Sequence, residues 1–190
     1  KLTAPGADIR TDIAAYRLYE HGQMVQEVES LLPYWRDDLV SFLLGCSFTF
    51  EAALIKGGIR IPHFEQRKNT AMFITSIETT PAGIFSGPMV VSMRAIPRDK
   101  LVRAVQITSR FPSVHGAPVH IGDPAAIGIS DLAAPDYGMP VSMSGDQIPL
   151  FWACGVTPQE AIRNARPELA ITHAPGHMFV SDVTAASTRI

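Results

Sequence analysis

The sequence has little cysteine, no long apolar run and no excess of charge of either sign. Two cysteines in 190 residues, Cys46 and Cys154, are too few for a disulfide framework, and we expect both to stay reduced inside a cell. No apolar stretch reaches the roughly 20 residues that a membrane-spanning helix needs, and no signal peptide is recognisable. The expected location is the cytoplasm, or the mitochondrial matrix in a eukaryote.

The charge composition argues against nucleic acids and membrane surfaces as partners. The formal net charge is −2, and the 16 lysines and arginines are scattered along the chain. With 46% hydrophobic residues, a chain of this length can bury roughly 70% of its unfolded surface. The expected partners are a small molecule and another copy of the chain. Because the sequence starts at Lys1, we also expect the natural protein to have a further N-terminal part.

Local patterns predict short strands and helices. Alternating apolar residues predict a hairpin over 16–28, with His21-Gly22 as its two-residue turn. Apolar residues at helical spacing predict helices over 33–44, 48–56 and 98–109, and short apolar runs predict strands over 72–77, 88–94 and 117–121. Asp123 and Pro124 predict a short helical turn, with the aspartate as its cap.

The C-terminal third predicts a strand, a helix and a second strand. Residues 148–154 are a continuous apolar run, typical of a strand buried on both faces of a parallel sheet. Thr157-Pro-Gln-Glu160 has the pattern of a capping box and predicts a helix to about residue 166, followed by a strand over 169–173. Such a βαβ unit places ligands beyond the carboxyl ends of its strands.

Two runs rich in glycine and proline hold four of the six histidines. The first run, 108–124, contains Arg110, His115, His120 and Asp123, and the second, 172–177, contains His173 and His177. Turns of this composition aim polar groups into clefts, so we expect the two runs to meet in one hollow together with Gly45-Cys46-Ser47. The alternative for each histidine is a turn-stabilising or buried hydrogen-bonded side chain.

A four-histidine metal site is a competing interpretation of these runs. Proline and glycine deny either histidine pair a helical i, i+4 geometry, and no carboxylate or cysteine completes a known ligand spacing. We therefore predict no metal. Asp123 and the other aspartates beside Gly, Ser or Pro are either caps and turns or one catalytic carboxylate.

Other candidate site residues lie outside the histidine runs. Cys46 and Ser47 precede a predicted helix, whose N-terminus attracts anions and lowers a thiol pKa; the alternative is a small core thiol and a simple N-cap. Glu51 is either a general base or a first-turn complement to the helix dipole. Arg94 and Arg110 are each suited to hold a carboxylate or to form an ordinary ion pair.

Two residues of the apolar run 148–154 have two interpretations each. Cys154 is a candidate nucleophile with His173 as its partner, and the alternative is a buried structural thiol. Trp152 is a core residue by context, and the alternative is a wall of the pocket.

Several motifs together resemble those of the D-glutamate cyclase family, many of whose bacterial members are labelled hydro-lyases. The matching segments are 35–39, 45–51 (GCSFTFE), 87–94, 115–122, 151–159 and 171–178. The resemblance implies an α/β fold: a three-layer, mostly parallel sheet domain with a smaller α+β subdomain inserted. On this basis we expect residues 1–57 and 123–190 to form the main domain and residues 58–122 the smaller one.

The resemblance also implies cyclisation of D-glutamate to 5-oxo-D-proline with loss of water. Arg110 or the Cys46-Ser47 turn would then hold the α-carboxylate, and His115 or His173 would act as the base. His120, His177 or the N–H groups around Gly155 would stabilise the oxyanion. No organic cofactor is expected, because the reaction involves neither redox chemistry nor a carbanion. The alternatives are a hydro-lyase or amidohydrolase acting on another carboxylate, and a non-catalytic carboxylate-binding protein.

Overall fold

The computed structural model describes residues 4–190, whose strands form two antiparallel sheets. The strands are β1 Tyr16–Glu20, β2 Gln23–Val28, β3 Met72–Glu78, β4 Pro88–Pro97, β5 His120–Ile121, β6 Gln147–Ala153 and β7 Ala170–His173. The α-helices are α1 Phe48–Lys56, α2 Pro62–Glu65, α3 Leu101–Thr108 and α4 Thr157–Ala165. The strand order is β2-β1-β7 in the three-stranded sheet and β3-β4-β6-β5 in the four-stranded sheet.

The predicted fold class, a three-layer and mostly parallel α/β domain, is wrong. Every strand pair in the part of the chain that the structure describes is antiparallel. α4 does lie between β6 and β7 in sequence, but these strands belong to different sheets, so they form no parallel βαβ unit. The expected division into residues 1–57 with 123–190 and residues 58–122 stays a prediction.

The residues of β6 are apolar for a reason other than the predicted burial within a parallel sheet. Leu150 and Trp152 pack into an apolar cluster with α1 and α3 on one face of the four-stranded sheet. Phe151 packs into a second cluster on the other face, with residues of β3, β4 and the segment after β5. A central antiparallel strand covered on both faces is as apolar as a strand of a parallel sheet, so the composition of the run does not reveal its direction.

Elements with strong local signals lie where they were predicted. The hairpin β1–β2 turns at His21 and Gly22, whose φ angles are +48° and +80°, as a two-residue turn of this kind requires. α1 begins and ends at the predicted residues. The side chain of Asp123 accepts a hydrogen bond from the Ala125 amide at 3.0 Å and caps the 3₁₀ turn Pro124–Ile127.

The predicted helix over 33–44 is wrong. Only the 3₁₀ turn Leu32–Tyr34 forms there, and the next regular element is α1. Val40, Phe42 and Leu43 are 76%, 78% and 56% exposed. A short helix in water depends on packing of its apolar face, and these side chains are mostly exposed. No helix within residues 4–190 is long and apolar enough to cross a bilayer.

The alternation of side chains along β4 places Ser92 and Arg94 on the face that α1 covers. Val91, Met93 and Ala95 belong to the apolar cluster around Phe151. Successive side chains of a strand point to opposite faces, so Ser92 and Arg94 point toward α1. Two polar residues therefore lie between the sheet and its covering helix.

Candidate active site

Arg94 is buried between β4 and α1, with 1% of its surface exposed. Its Nε and Nη2 donate hydrogen bonds to Glu51 Oε1 at 2.9 and 2.6 Å. Nη1 donates to Ser92 Oγ at 2.6 Å, and Nη2 also donates to Ser47 Oγ at 2.9 Å. A buried charge is tolerated when it is paired and hydrogen-bonded, as it is here. Of the two interpretations of Arg94, the structure shows the ion pair.

Two aromatic rings cover the guanidinium. The centres of the Phe50 and Trp152 rings lie 5.3 and 5.5 Å from Arg94 Cζ, and the two rings are 5.5 Å apart. Both rings are fully buried. Attraction between a cation and a ring strengthens when water is excluded, to about 2 kcal/mol. Trp152 is thus a core residue that also contacts the buried charge.

α1 supplies three of these groups because of their spacing. Ser47, Phe50 and Glu51 are at positions i, i+3 and i+4, which share one face of a helix. Ser47 stands at the N-cap position of α1, but its hydroxyl makes no capping bond and accepts from Arg94 instead. Ser47 is therefore not the simple N-cap of the alternative interpretation, and Glu51 is more than a first-turn complement to the helix dipole.

Close packing of two loops brings His115 to the same region. A Cβ on Gly45 would lie 2.3 Å from the Ser113 carbonyl oxygen and 2.6 Å from Val114 Cγ1, so only glycine fits there. His115 follows in a left-handed conformation with φ +82°, which is uncommon for a residue with a side chain. Its half-buried imidazole lies beside the Gly45 carbonyl and within the field of Arg94. One of the two histidine runs therefore reaches the Gly45-Cys46-Ser47 turn.

Three buried side-chain polar atoms within residues 4–190 lack a hydrogen-bond partner. They are Glu51 Oε2, His115 Nε2 and Trp152 Nε1. Buried polar groups are nearly always paired, so each of these atoms is a candidate partner for a water molecule, an ion or a ligand. The first and third belong to residues that contact Arg94, and the second feels its charge. Together they offer a carboxylate acceptor, an indole donor and an imidazole nitrogen. We call the four residues Glu51, Arg94, His115 and Trp152 the Arg94 chamber; Glu51, Arg94 and Trp152 are almost fully buried.

Burial and charge set the protonation of the two titratable groups in the Arg94 chamber. Burial opposes ionisation of Glu51, but the hydrogen bond from His63 and the charge and hydrogen bonds of Arg94 prevail, and its pKa lies below the ordinary value. Burial lowers the pKa of His115; the Gly45 carbonyl acts against this and the charge of Arg94 adds to it. At neutral pH the chamber holds an ionised carboxylate and a neutral imidazole.

Both cysteines lie near the Arg94 chamber, and both are protonated thiols rather than thiolates. Burial is the main cause that raises the pKa of Cys46 and of Cys154, and it outweighs the opposite effect of Arg94. The expectation that a helix N-terminus lowers the thiol pKa of Cys46 is therefore wrong. Cys154 Sγ is 3.5 Å from Met72 Sδ, an apolar contact typical of a structural thiol. A nucleophilic role for Cys154 stays a prediction.

Comparison with known proteins agrees with the motifs. The D-glutamate cyclase family matches residues 40–182, a span that includes the whole chamber. The chain belongs to the D-glutamate cyclase family. A protein of Stutzerimonas stutzeri (strain A1501) named "Putative hydro-lyase" is 60% identical over 180 residues, which cover 95% of this chain and 68% of that protein. "Putative hydro-lyase YcsI" of Bacillus subtilis (strain 168) is 56% identical over 182 residues, covering 96% of this chain and 71% of that protein. The protein is an enzyme of the lyase class.

Three predicted site residues of this cyclase-family enzyme lie away from the Arg94 chamber. His120 pairs directly with Phe151 in the sheet, and the centres of the two rings lie 5.8 Å apart, so His120 lies on the face opposite Trp152. Its Nε2 is 2.7 Å from the Asp123 carbonyl oxygen, and the Asp123 side chain caps the following turn. Arg110 is exposed. The roles predicted for these three residues stay predictions, and none has a contact in the chamber.

The second histidine run belongs to the three-stranded sheet. His173 ends β7, pairs with Tyr16 of β1, and has its Nδ1 2.8 Å from the Ala174 carbonyl oxygen. His177 is exposed and lines a surface groove of about 670 Å³ with residues of β2. No hydrogen bond within residues 4–190 joins either side chain to the chamber, so the structure does not show the expected meeting of the two runs. The same residues include no group of three or more His, Cys, Asp or Glu side chains placed to hold a metal ion.

Two polar neighbours of Glu51 and Arg94 were missed by the sequence analysis. Ser92 binds the guanidinium, and His63 Nε2 lies 3.3 Å from Glu51 Oε1. Ser92 and Arg94 alternate with the apolar residues of β4. Polar residues at that spacing in a buried strand are the signal that could have identified Ser92. His63 lies in a four-residue helix and carries no such signal.

Proposed function

We propose that this enzyme converts D-glutamate to 5-oxo-D-proline and water in the Arg94 chamber. The observation that carries the proposal is the set of unpaired buried atoms, Glu51 Oε2, His115 Nε2 and Trp152 Nε1. An amino acid that cyclises through its side-chain carboxylate presents an ammonium group and a carboxylate. These are complementary to an ionised acceptor, a proton-accepting nitrogen and a neutral donor. Membership of the D-glutamate cyclase family supports this substrate over other carboxylates.

The reaction fixes what the site must do. The amino nitrogen attacks the γ-carboxyl carbon, a C–N bond forms, and one C–O bond of the carboxyl breaks. The nitrogen loses two protons in becoming a lactam N–H, and both end on the departing oxygen as water. One base that takes protons from the nitrogen and donates them to the departing oxygen is therefore sufficient, and no oxidant or reductant is needed.

Each unpaired atom has a role in this scheme. Glu51 Oε2 accepts a hydrogen bond from the ammonium and orients the nitrogen toward the γ-carbon. His115 Nε2, neutral because burial lowers the pKa of the imidazole, takes protons from the nitrogen and delivers them to the leaving oxygen. Trp152 Nε1 donates to the remaining carboxyl oxygen, where negative charge develops. Arg94 holds Glu51 ionised and in place.

The test is incubation of the purified protein with D-glutamate and quantification of 5-oxoproline by chromatography. We expect turnover by the wild type and a loss of about 10²–10⁴-fold in kcat for His115→Asn, the usual effect of removing a general base. His177→Asn is the matched control, because His177 is exposed and outside the chamber. We expect it to keep wild-type activity. The absence of 5-oxoproline with wild type, or equal rates for His115→Asn and wild type, would contradict the proposal.

The names of the relatives favour a second candidate, removal of water from a different small carboxylate. The same three atoms suit it, since an imidazole that takes a proton next to a carboxylate can equally start an elimination. Detection of an unsaturated product from a hydroxy acid, with D-glutamate unchanged, would favour this candidate.

A further inference from the structure

His63 is a buried histidine next to the chamber that has no part in the steps above. It lies in α2, is 4% exposed, and stacks on Phe64 with ring centres 5.0 Å apart. Its Nε2 is 3.3 Å from Glu51 Oε1 and 3.4 Å from Thr70 Oγ1. A buried imidazole beside a carboxylate that already has an arginine partner is not needed for charge balance, so its contact requires another explanation.

The two oxygens of Glu51 have unequal surroundings. Oε1 receives two hydrogen bonds from Arg94 and faces His63 Nε2, whereas Oε2 has no partner. An ionised carboxylate oxygen only accepts hydrogen bonds, so the nitrogen of His63 that faces it must carry a proton. Arg94 donates two hydrogen bonds to Oε1, and His63 Nε2 lies 3.3 Å from the same oxygen. Tilting of the carboxylate away from this arrangement would break the bonds to Arg94 and separate Oε1 from His63.

We propose that His63 is a positioning residue that locks the Glu51 carboxylate with Oε2 directed at the substrate ammonium. The proposal rests on the function proposed above. Arg94 binds Oε1 from β4. His63 lies in a different element, α2, and its ring restricts the remaining movement of Oε1. Fixed orientation of a binding group lowers the entropy that substrate binding must overcome.

The experiment compares two ligands that differ in one group. D-Glutamate carries the ammonium that Glu51 Oε2 recognises, and glutarate has the same two carboxylates without it. We expect His63→Phe, which keeps the ring and removes the donor, to raise KM for D-glutamate about tenfold, equivalent to the loss of about 1.4 kcal/mol of binding. The inhibition constant of glutarate should change less than twofold. General damage to the site would weaken both ligands equally.

His63→Gln is the conservative control, because the glutamine amide can place an N–H near the position of Nε2. We expect it to restore KM for D-glutamate to within about threefold of wild type. His63→Leu replaces His63→Phe if the phenylalanine variant does not fold, as judged by circular dichroism. Nitrogen NMR of the wild-type His63 ring needs no variant at all: the proposal requires a proton on Nε2, and a bare Nε2 overturns it.

Glu51→Gln separates the two proposals. If Glu51→Gln leaves KM for D-glutamate unchanged, Glu51 does not bind the ammonium and the inference fails, whereas the proposed reaction fails only if the wild type forms no 5-oxoproline from D-glutamate. If Glu51→Gln raises KM but His63→Phe and His63→Leu do not, only the positioning role of His63 fails. A parallel rise in KM and in the glutarate constant also overturns that role.

Discussion

Removal of both partners of the Arg94–Glu51 pair should destabilise the protein far less than the two single removals added together. Arg94→Met leaves an ionised Glu51 in a site that is 2% exposed, with His63 as its only remaining partner. Glu51→Gln leaves the guanidinium charge without a counter-ion. Each change isolates one buried charge, for which the expected loss is about 3–5 kcal/mol of unfolding free energy.

The double variant Arg94→Met with Glu51→Leu removes both charges and fills the space with apolar side chains. It leaves the hydroxyls of Ser47 and Ser92 and the ring of His63 without these partners, at about 1 kcal/mol each. The expected loss is therefore about 3 kcal/mol, against about 6–10 kcal/mol for the sum of the single changes. The difference gives a coupling energy of at least about 3 kcal/mol.

Urea unfolding followed by circular dichroism at 15 °C measures all four proteins. Natural domains have only about 5–15 kcal/mol of unfolding free energy, so low temperature keeps the single variants folded. Equal slopes of unfolding free energy against urea must be checked before the values are compared. Additivity of the single changes to within about 0.5 kcal/mol, or a loss below about 1 kcal/mol for each, would refute the description of this pair as desolvated and coupled.

Two further predictions concern the loops that form the chamber. Gly45→Ala should lower the unfolding free energy by about 1–3 kcal/mol in urea titration, because its Cβ would overlap the Ser113 carbonyl. Gly155→Ala is the control, because its Cβ would only touch the Gly45 carbonyl at 4.0 Å. Its unfolding free energy should lie within about 0.5 kcal/mol of wild type. Equal effects would contradict the close packing of the two loops. The pKa of His115 is lower in the folded protein than its ordinary 6.5, so the unfolded chain binds the extra proton and stability should fall as pH drops below about 6.5. His115→Asn should show less of this fall between pH 7 and pH 5, and an identical profile for the two proteins would contradict the burial of the imidazole.

Local signals were sufficient for much of the secondary structure and insufficient for its assembly. The turn at His21-Gly22 and the ends of α1 follow from glycine chemistry and short-range spacing. Thr157 shows where such signals mislead: its hydroxyl accepts from the Val90 amide at 3.0 Å instead of capping α4, whose N-cap residue is Val156. The direction of β6 depends on partners more than 25 residues away, which no local pattern records.

The site was predictable as a set of candidate residues and unpredictable as a set of contacts. Glu51, Arg94, His115 and Trp152 were all named from sequence, yet the sequence left Arg94 either a substrate carboxylate or an ion pair, and did not reveal that its partner is Glu51, 43 positions earlier. His120 differed from expectation because strand pairing puts it on the other face of the sheet. Histidines in similar glycine- and proline-rich runs look alike in sequence, and only the fold separates His115 from His173.

The position of Arg94 also affects the register in which β4 pairs with β6. If β4 paired with β6 one residue out of step, Arg94 would turn to the opposite face, among Ala71, Phe73 and Phe151, where those apolar neighbours offer its charge no partner. An unpaired cation in that environment costs several kcal/mol, enough to make the misaligned sheet unstable. Burial of the Arg94 charge therefore disfavours a one-residue shift between β4 and β6, and apolar replacements at this position are expected to weaken that preference for one register.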